Sequence, residues 1–349
     1  MPLPEWLARV REIGGSDLLL VAGTRPTIRV RARLEPAADA VLDSETIAMA
    51  TRPFLPPRLS GSFDAGAAVD LAFSLPGLGR FRMNLHHERG RVAAAIRALP
   101  TSLPTVAGLG FSHDISLLAD LPRGLVLVSG PTGSGKTTTV AAIVAELNRR
   151  RDGHVITIED PVEFEHAHGR CVVEQVEIGV DAESFPVALR SALRQAPDVI
   201  VIGEMRDLES IRIAVSAAET GHLVIATVHA PDVGGAVSRI ADAFPPERQN
   251  TIRQELAMGL SAVLTQSLLR GTEGQMVPAG ELLVVSYGAR QHIRKNALQN
   301  LHQEMTSTRK LGSFTLEESL ARLVRSGLIE RATASLRAAH AEELDLLLG

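Results

Sequence analysis

The chain has a single cysteine, Cys171. No intrachain disulfide and no cysteine-built zinc site can form from it, and a reducing compartment is its natural setting. Aromatic residues are scarce, at 3%, and a net charge of -4 leaves no basic excess. A nucleic-acid groove needs both phosphate-neutralising charge and stacking platforms, so nucleic acid is not an expected partner. No apolar run approaches the roughly 20 residues that cross a bilayer, and residues 1–11 lack an apolar signal core. A cytoplasmic protein without a transmembrane segment is expected. Arg25, Arg29, Arg31 and Arg33 do form a local basic run, the last three alternating in a segment that reads as a strand with one solvated face.

What is present is a globular composition, 45% hydrophobic and 22% charged over 349 residues, enough for two domains. Short apolar runs at 18–22, 27–30, 69–73, 81–85 and 92–96, broken by glycine and proline, predict a small mixed domain with a sheet over residues 1–100. Pro100, Pro104, Gly108 and Gly110 stop both periodicities, so residues 101–112 are read as a linker. From 113 to 349 the pattern changes. Apolar runs at 125–128, 155–158, 199–202 and 223–228 alternate with helical spacings, which predicts a mainly parallel sheet covered on both faces. One helix is expected over 184–194, capped by Ser184 and stopped by Pro197. Another follows Asp207, with Ile211, Ala214, Val215 and Ala218 as its apolar stripe and Gly221 closing it. Beyond Gln254 the pattern reads as mostly helical. No internal repeat or low-complexity segment is visible.

Gly130-Pro131-Thr132-Gly133-Ser134-Gly135-Lys136-Thr137, followed by Thr138, matches the phosphate-loop pattern and sits between an expected strand and an expected helix over 140–147. The glycines let backbone N–H groups turn toward phosphates, and the helix start adds positive dipole. Lys136 supplies a mobile charge to the outer phosphates, and the Thr137 hydroxyl suits magnesium. The ligands implied are ATP and Mg2+. Glu204 follows the buried run 199–202 through Gly203, a position from which a carboxylate faces the magnesium or its waters; a helix-start or surface acid is the plainer alternative. Glu159, Asp160 and Glu163 follow the run 155–158, with Pro161 preventing simple helix continuation. They can orient or deprotonate the attacking water, or form a solvated turn. His222 and His229 bracket the run 223–228, and spacing alone favours ordinary hydrogen-bonding roles for both.

Taken in order, these segments resemble the secretion and pilus motor ATPases, and in particular the PilT-like retraction subfamily, from about Ser16 to Ile329. Residues 130–139 are similar to its Walker A loop, 156–164 to its acidic box, 198–207 to its Walker B segment and 220–229 to its histidine box. The resemblance implies a RecA-like α/β ATPase domain with a helical C-terminal part, preceded by a small PAS-like α+β domain. It also implies a homohexameric ring that binds nucleotide at the cleft between domains and works on an inner-membrane pilus platform protein at the inner face of that membrane. Glu163 is the favoured general base, with Glu159 beside it, and Glu204 orders the metal and its waters. His229 reads the outer phosphate or the neighbouring subunit, and His222 belongs to the same box. Arg82 and Arg97 match the family's arginines that close on the phosphates, structural ion pairing being their alternative.

Two segments depart from the family pattern. Ser16-Asp17-Leu18-Leu19-Leu20 replaces a Ser-Asp-Leu-His-Leu opening, and Gly288-Ala289-Arg290-Gln291-His292-Ile293-Arg294 replaces Ala-Ile-Arg-x-Leu-Ile-Arg. Extension and secretion relatives carry a four-cysteine zinc motif that one cysteine cannot build, which favours retraction. The rival functions are an extension or secretion motor of the same class and an ATP-binding regulator with little turnover.

Overall fold

The computed structural model describes residues 3–31 and 33–349, and its chain divides into two compact units. One holds Met1–Ser102 together with the four residues Pro161–Phe164; the other holds Leu103–Asp160 and Glu165–Gly349. Of the segment 1–11, Met1 and Pro2 lie outside the described residues, and the remainder falls in a helix.

That helix, α1 (Leu3–Glu12), buries Leu3, Trp6, Leu7 and Val10, the spacing of one helical face. Next come β1 (Asp17–Leu20), β2 (Thr27–Val30), β3 (Arg33–Pro36), α2 (Ser44–Thr51), α3 (Pro57–Asp64), β4 (Val69–Leu75), β5 (Gly79–Glu88) and β6 (Arg91–Ala98). The strands form one antiparallel sheet in the order β3-β2-β1-β6-β5-β4. Alternate residues such as Phe81, Met83 and Leu85 point into a core shared with the helices. Each such side chain contributes roughly 1.5–3 kcal/mol through burial. The arginine run is not one strand face. Arg31 has φ +54° between β2 and β3, so Arg29 and Arg33 sit on separate strands, and Arg29 faces Asp17 at 3.8 Å.

The second unit begins its sheet with β7 (Gly124–Ser129), then α4 (Lys136–Arg150), β8 (Gly153–Glu159), β9 (Cys171–Glu177), α5 (Phe185–Ala192), β10 (Val199–Ile202), α6 (Leu208–Glu219), β11 (Leu223–Val228), α7 (Val233–Asp242) and α8 (Pro246–Gly259). Two long strands follow, β12 (Leu260–Arg270) and β13 (Met276–Val284). They correct the helical reading beyond Gln254: the apolar run after Gly259 has no break that tells a buried strand from a buried helix, and pairing with β7 decides it. Only from Tyr287 is the chain helical, through α9 (Tyr287–Arg294), α10 (Leu301–Ser307), α11 (Leu316–Arg325), α12 (Arg331–Arg337) and α13 (Ala341–Leu348).

The seven strands lie in the order β13-β12-β7-β11-β10-β8-β9, all parallel except β13 at the edge. Buried on both faces, β7, β10 and β11 are continuous apolar runs. Leu125, Leu127, Ile200 and Ile202 pack toward α5 and α6, while Val126, Val128, Val199 and Val201 pack toward α4. Asp207 caps α6 by accepting the Ser210 N–H at 2.8 Å, worth about 1 kcal/mol. Ser184 holds the equivalent position before α5 without a side-chain hydrogen bond. Parallel pairing has a functional consequence: the carboxyl ends of β7, β8, β10 and β11 share one edge, where α/β sheets present ligand-binding loops.

Candidate functional site

The loop 130–135 leaves β7 and enters α4 through three glycines in the positive-φ region, Gly130 at +145°, Gly133 at +77° and Gly135 at +89°. At Gly130 a Cβ would stand 2.2 Å from the Gln266 carbonyl oxygen, so β12 presses against the loop from behind. Gln266 also donates its side-chain amide to the Ser134 carbonyl at 2.6 Å. Pro131, Thr132 and Gly133 are exposed, Ser134 is buried with its Oγ unpartnered, and Thr137 and Thr138 are half-buried in the first turn of α4. The first N–H groups of a helix have no intrahelical partner, so the loop presents donors and dipole on its outer side. These features fit a polyphosphate. Gly130→Ala should keep the sheet but deform the loop and weaken nucleotide affinity more than roughly tenfold, because both the φ angle and the Gln266 contact forbid the methyl. Titration with a fluorescent ATP analogue, beside circular dichroism of the variant, checks this; parental affinity would show that the loop shape is not required.

Lys136 is largely buried. Its Nζ donates to the carbonyls of Gly130 at 2.9 Å and Pro131 at 3.0 Å and lies 3.5 Å from His229 Nδ1. Burial pulls its pKa below the ordinary lysine value, and the nearby Glu204 charge opposes that. His229 follows β11, and its Nε2 lies 3.2 Å from Glu204 Oε1. Glu204 follows β10 through Gly203, and its Oε2 accepts from Arg206 at 2.7 Å. Burial opposes ionisation of Glu204, but the hydrogen bond and charge of Arg206, with His229, hold its carboxyl below the ordinary value. Lys136, His229, Glu204 and Arg206 thus form one chain of polar contacts drawn from three strand ends.

Glu159 ends β8 on the same sheet edge, where its Oε1 accepts from Thr157 Oγ1 at 2.6 Å and Gln175 at 3.1 Å. His222 is not brought to the loop. It precedes β11, its carbonyl accepts from Gly124 at the start of β7, and its Nδ1 lies 3.1 Å from the Ala217 carbonyl. A six-residue strand, about 20 Å, therefore separates His222 from the edge that carries Lys136 and His229.

The acidic box is split between units, since Glu159 and Asp160 stay with the large sheet while Glu163 counts with the N-terminal sheet. There Arg80 Nε donates to the Val162 carbonyl at 3.0 Å. Arg82 and Arg97 are cross-strand partners on β5 and β6; Arg82 faces Asp70 at 3.5 Å and Arg97 pairs with Asp17 at 2.9 Å. Burial raises the Glu163 pKa, and the charges of Arg82 and Arg97 counter only part of the rise.

Arg206 and Gln266 are the site residues that motif reading passed over. Arg206 was legible as a cation two residues after Glu204, and Gln266 as an amide inside an apolar run; their partners were not. In the altered segment, Arg290 on α9 donates to the Ala257 and Met258 carbonyls at the end of α8, a helix-capping role.

Residues 94–342 match the family model described as type II/IV secretion system protein. Over 97% of this chain and 98% of the relative, the sequence is 38% identical to the type IV pilus retraction ATPase PilT of Pseudomonas aeruginosa. It is 36% identical to the type IV pilus ATPase PilU of the same organism, across 100% of this chain and 91% of that one. A type II secretion system protein E of Xanthomonas campestris is 46% identical, over only 38% of this chain and 24% of its own length. Among solved structures, the pilus retraction motor PilT with bound ADP superposes with a TM-score of 0.91 at 37% identity, covering 98% of both chains.

Proposed function

The chain belongs to the type II/IV secretion system protein family, and from that premise we propose that it is an ATP-hydrolysing motor subunit that drives type IV pilus retraction. The observation that carries this reading is the full-length likeness to a retraction motor, set against matches to type II secretion proteins that cover between 38% and 61% of the chain. The Lys136, His229 and Glu204 contacts support retained hydrolysis rather than nucleotide-dependent scaffolding.

In this reading the N–H groups of 130–137 bind the phosphates and Lys136 neutralises their charge. Thr137 and Glu204 are the residues that would hold magnesium, whose Lewis acidity toward phosphoryl oxygens would favour displacement. Glu163, with its raised pKa, accepts the proton of the attacking water. Glu159 is held by Thr157 and Gln175 for a supporting role, and Arg82 and Arg97 act as the phosphate-closing arginines of the family. His229 connects phosphate occupancy to Glu204. A cytoplasmic homohexamer acting on an inner-membrane pilus platform protein completes the proposal; among the described residues no helix is long and apolar enough to cross a membrane.

The test joins enzymology to phenotype. Purified protein should release phosphate from ATP only with magnesium present, with specific activity rising as protein concentration promotes assembly. Cells lacking the protein should keep surface pili yet fail to twitch. Loss of surface pili would assign extension, and negligible phosphate release at every concentration would assign a regulatory role.

A further inference from the structure

A cavity of about 420 Å³ is walled by residues of α7, β13, α10 and α11 and of the segments that lead into α7, α10 and α13, none of them from the phosphate loop. Its wall carries Asp232, Glu281 and Glu317 with the imidazoles of His302 and His340; among the described residues lining it there is no lysine or arginine. Glu317 is fully buried. Its Oε1 accepts the N–H groups of Ala339 and His340, both at 2.9 Å, while its Oε2 has no hydrogen-bond partner. His302 Nε2 lies 2.6 Å from Glu343 Oε2, and Glu343 Oε1 accepts from Thr315 Oγ1 at 3.1 Å. One ligand atom from each of His302, Glu317 and Glu343 lies within 4.8 Å of the other two.

A buried carboxylate oxygen without a partner is costly. A water could donate to it but would not neutralise the buried Glu317 carboxylate. A dication answers both. One imidazole with two carboxylates is a mixed nitrogen and oxygen donor set, suited to first-row transition ions rather than to magnesium or calcium, which prefer oxygen alone. The ring of His340, 4.0 Å from that of His302 between centroids, packs beside the cluster.

We propose that His302, Glu317 and Glu343 bind a divalent transition-metal ion of zinc-like chemistry, which ties α10, α11 and α13 together. Helices of seven and eight residues, as α10 and α13 are, have little stability alone. An ion bound by the folded form only would hold them in place by mass action.

The test uses the full chain, stripped with chelator and dialysed, then titrated with Zn2+ without nucleotide by calorimetry, with metal content measured after desalting. One ion per chain is expected, with Tm raised by several degrees and restored by chelator. His302→Ala and Glu317→Gln should each weaken uptake by roughly tenfold or more and abolish the Tm shift, with circular dichroism unchanged. If Glu317→Gln does not fold, His302→Ala and Glu343→Gln decide. No retained ion overturns the proposal, and so does parental uptake in the variants, because zinc would then sit elsewhere among the eleven histidines.

Discussion

Lys136→Ala should lower ATP turnover by roughly 10²- to 10³-fold and weaken ATP binding, the scale for removing one preorganised electrostatic group from a charged transition state. Lys136 is the only cationic side chain in residues 130–137, so no neighbour in the loop replaces it. Its Nζ is held by two loop carbonyls and stands beside His229, while burial lowers its pKa. Its loss therefore removes a desolvated charge, and thermal stability without nucleotide should change little. Lys136→Arg should not restore full turnover, since the guanidinium fork is broader than an ammonium point charge. Phosphate release, nucleotide affinity and Tm for parent and variants check this. Unchanged affinity and turnover in Lys136→Ala would remove the phosphate loop from the mechanism.

Glu163→Gln should lower turnover by roughly 10²- to 10⁴-fold with ATP binding retained, because the amide keeps size and hydrogen bonding but cannot accept the proton. Glu204→Gln should instead slow turnover and raise the magnesium concentration needed for half-maximal activity, since Glu204 is the carboxylate proposed to hold the ion with Thr137. The pH profile separates them further. Burial, partly countered by Arg82 and Arg97, raises the Glu163 pKa, so a rate that needs its ionised form falls on acidification before ordinary carboxylates protonate. The Glu204 pKa is shifted down, so a rate set by Glu204 would persist to lower pH. Near-parental turnover in Glu163→Gln, with the loss confined to Glu204→Gln, would transfer the base role to Glu204.

Local order was legible where a local rule dictates it. The buried strands over 125–128, 199–202 and 223–228 and the cap at Asp207 follow from apolar runs and a side chain that satisfies a helix N–H. So does the Gly130 to Thr137 loop, whose conformation needs glycine at fixed places. The expected parallel sheet also held, whereas the helical reading beyond Gln254 and the single-face reading of the arginine run failed. Residues 260–270 form a strand because β12 pairs with β7 across more than a hundred positions, residues 276–284 then pair back on β12, and no periodicity within 260–270 carries the long-range pairing.

The sequence by itself determined that this is a phosphate-loop protein with carboxylates and histidines at strand ends, because those residue types follow one another along short stretches of chain. Only the tertiary structure decided which of them meet. Parallel pairing carried His229 to Lys136 and left His222 a strand's length away. It also seated Gln266 behind Gly130, while packing beyond that sheet set Glu163 beside the charges of Arg82 and Arg97 and gathered His302, Glu317 and Glu343 from three helices. The physical reason is the same throughout: a side chain's partners and its desolvation are set by packing between segments far apart in sequence, and only the folded chain brings them within bonding distance.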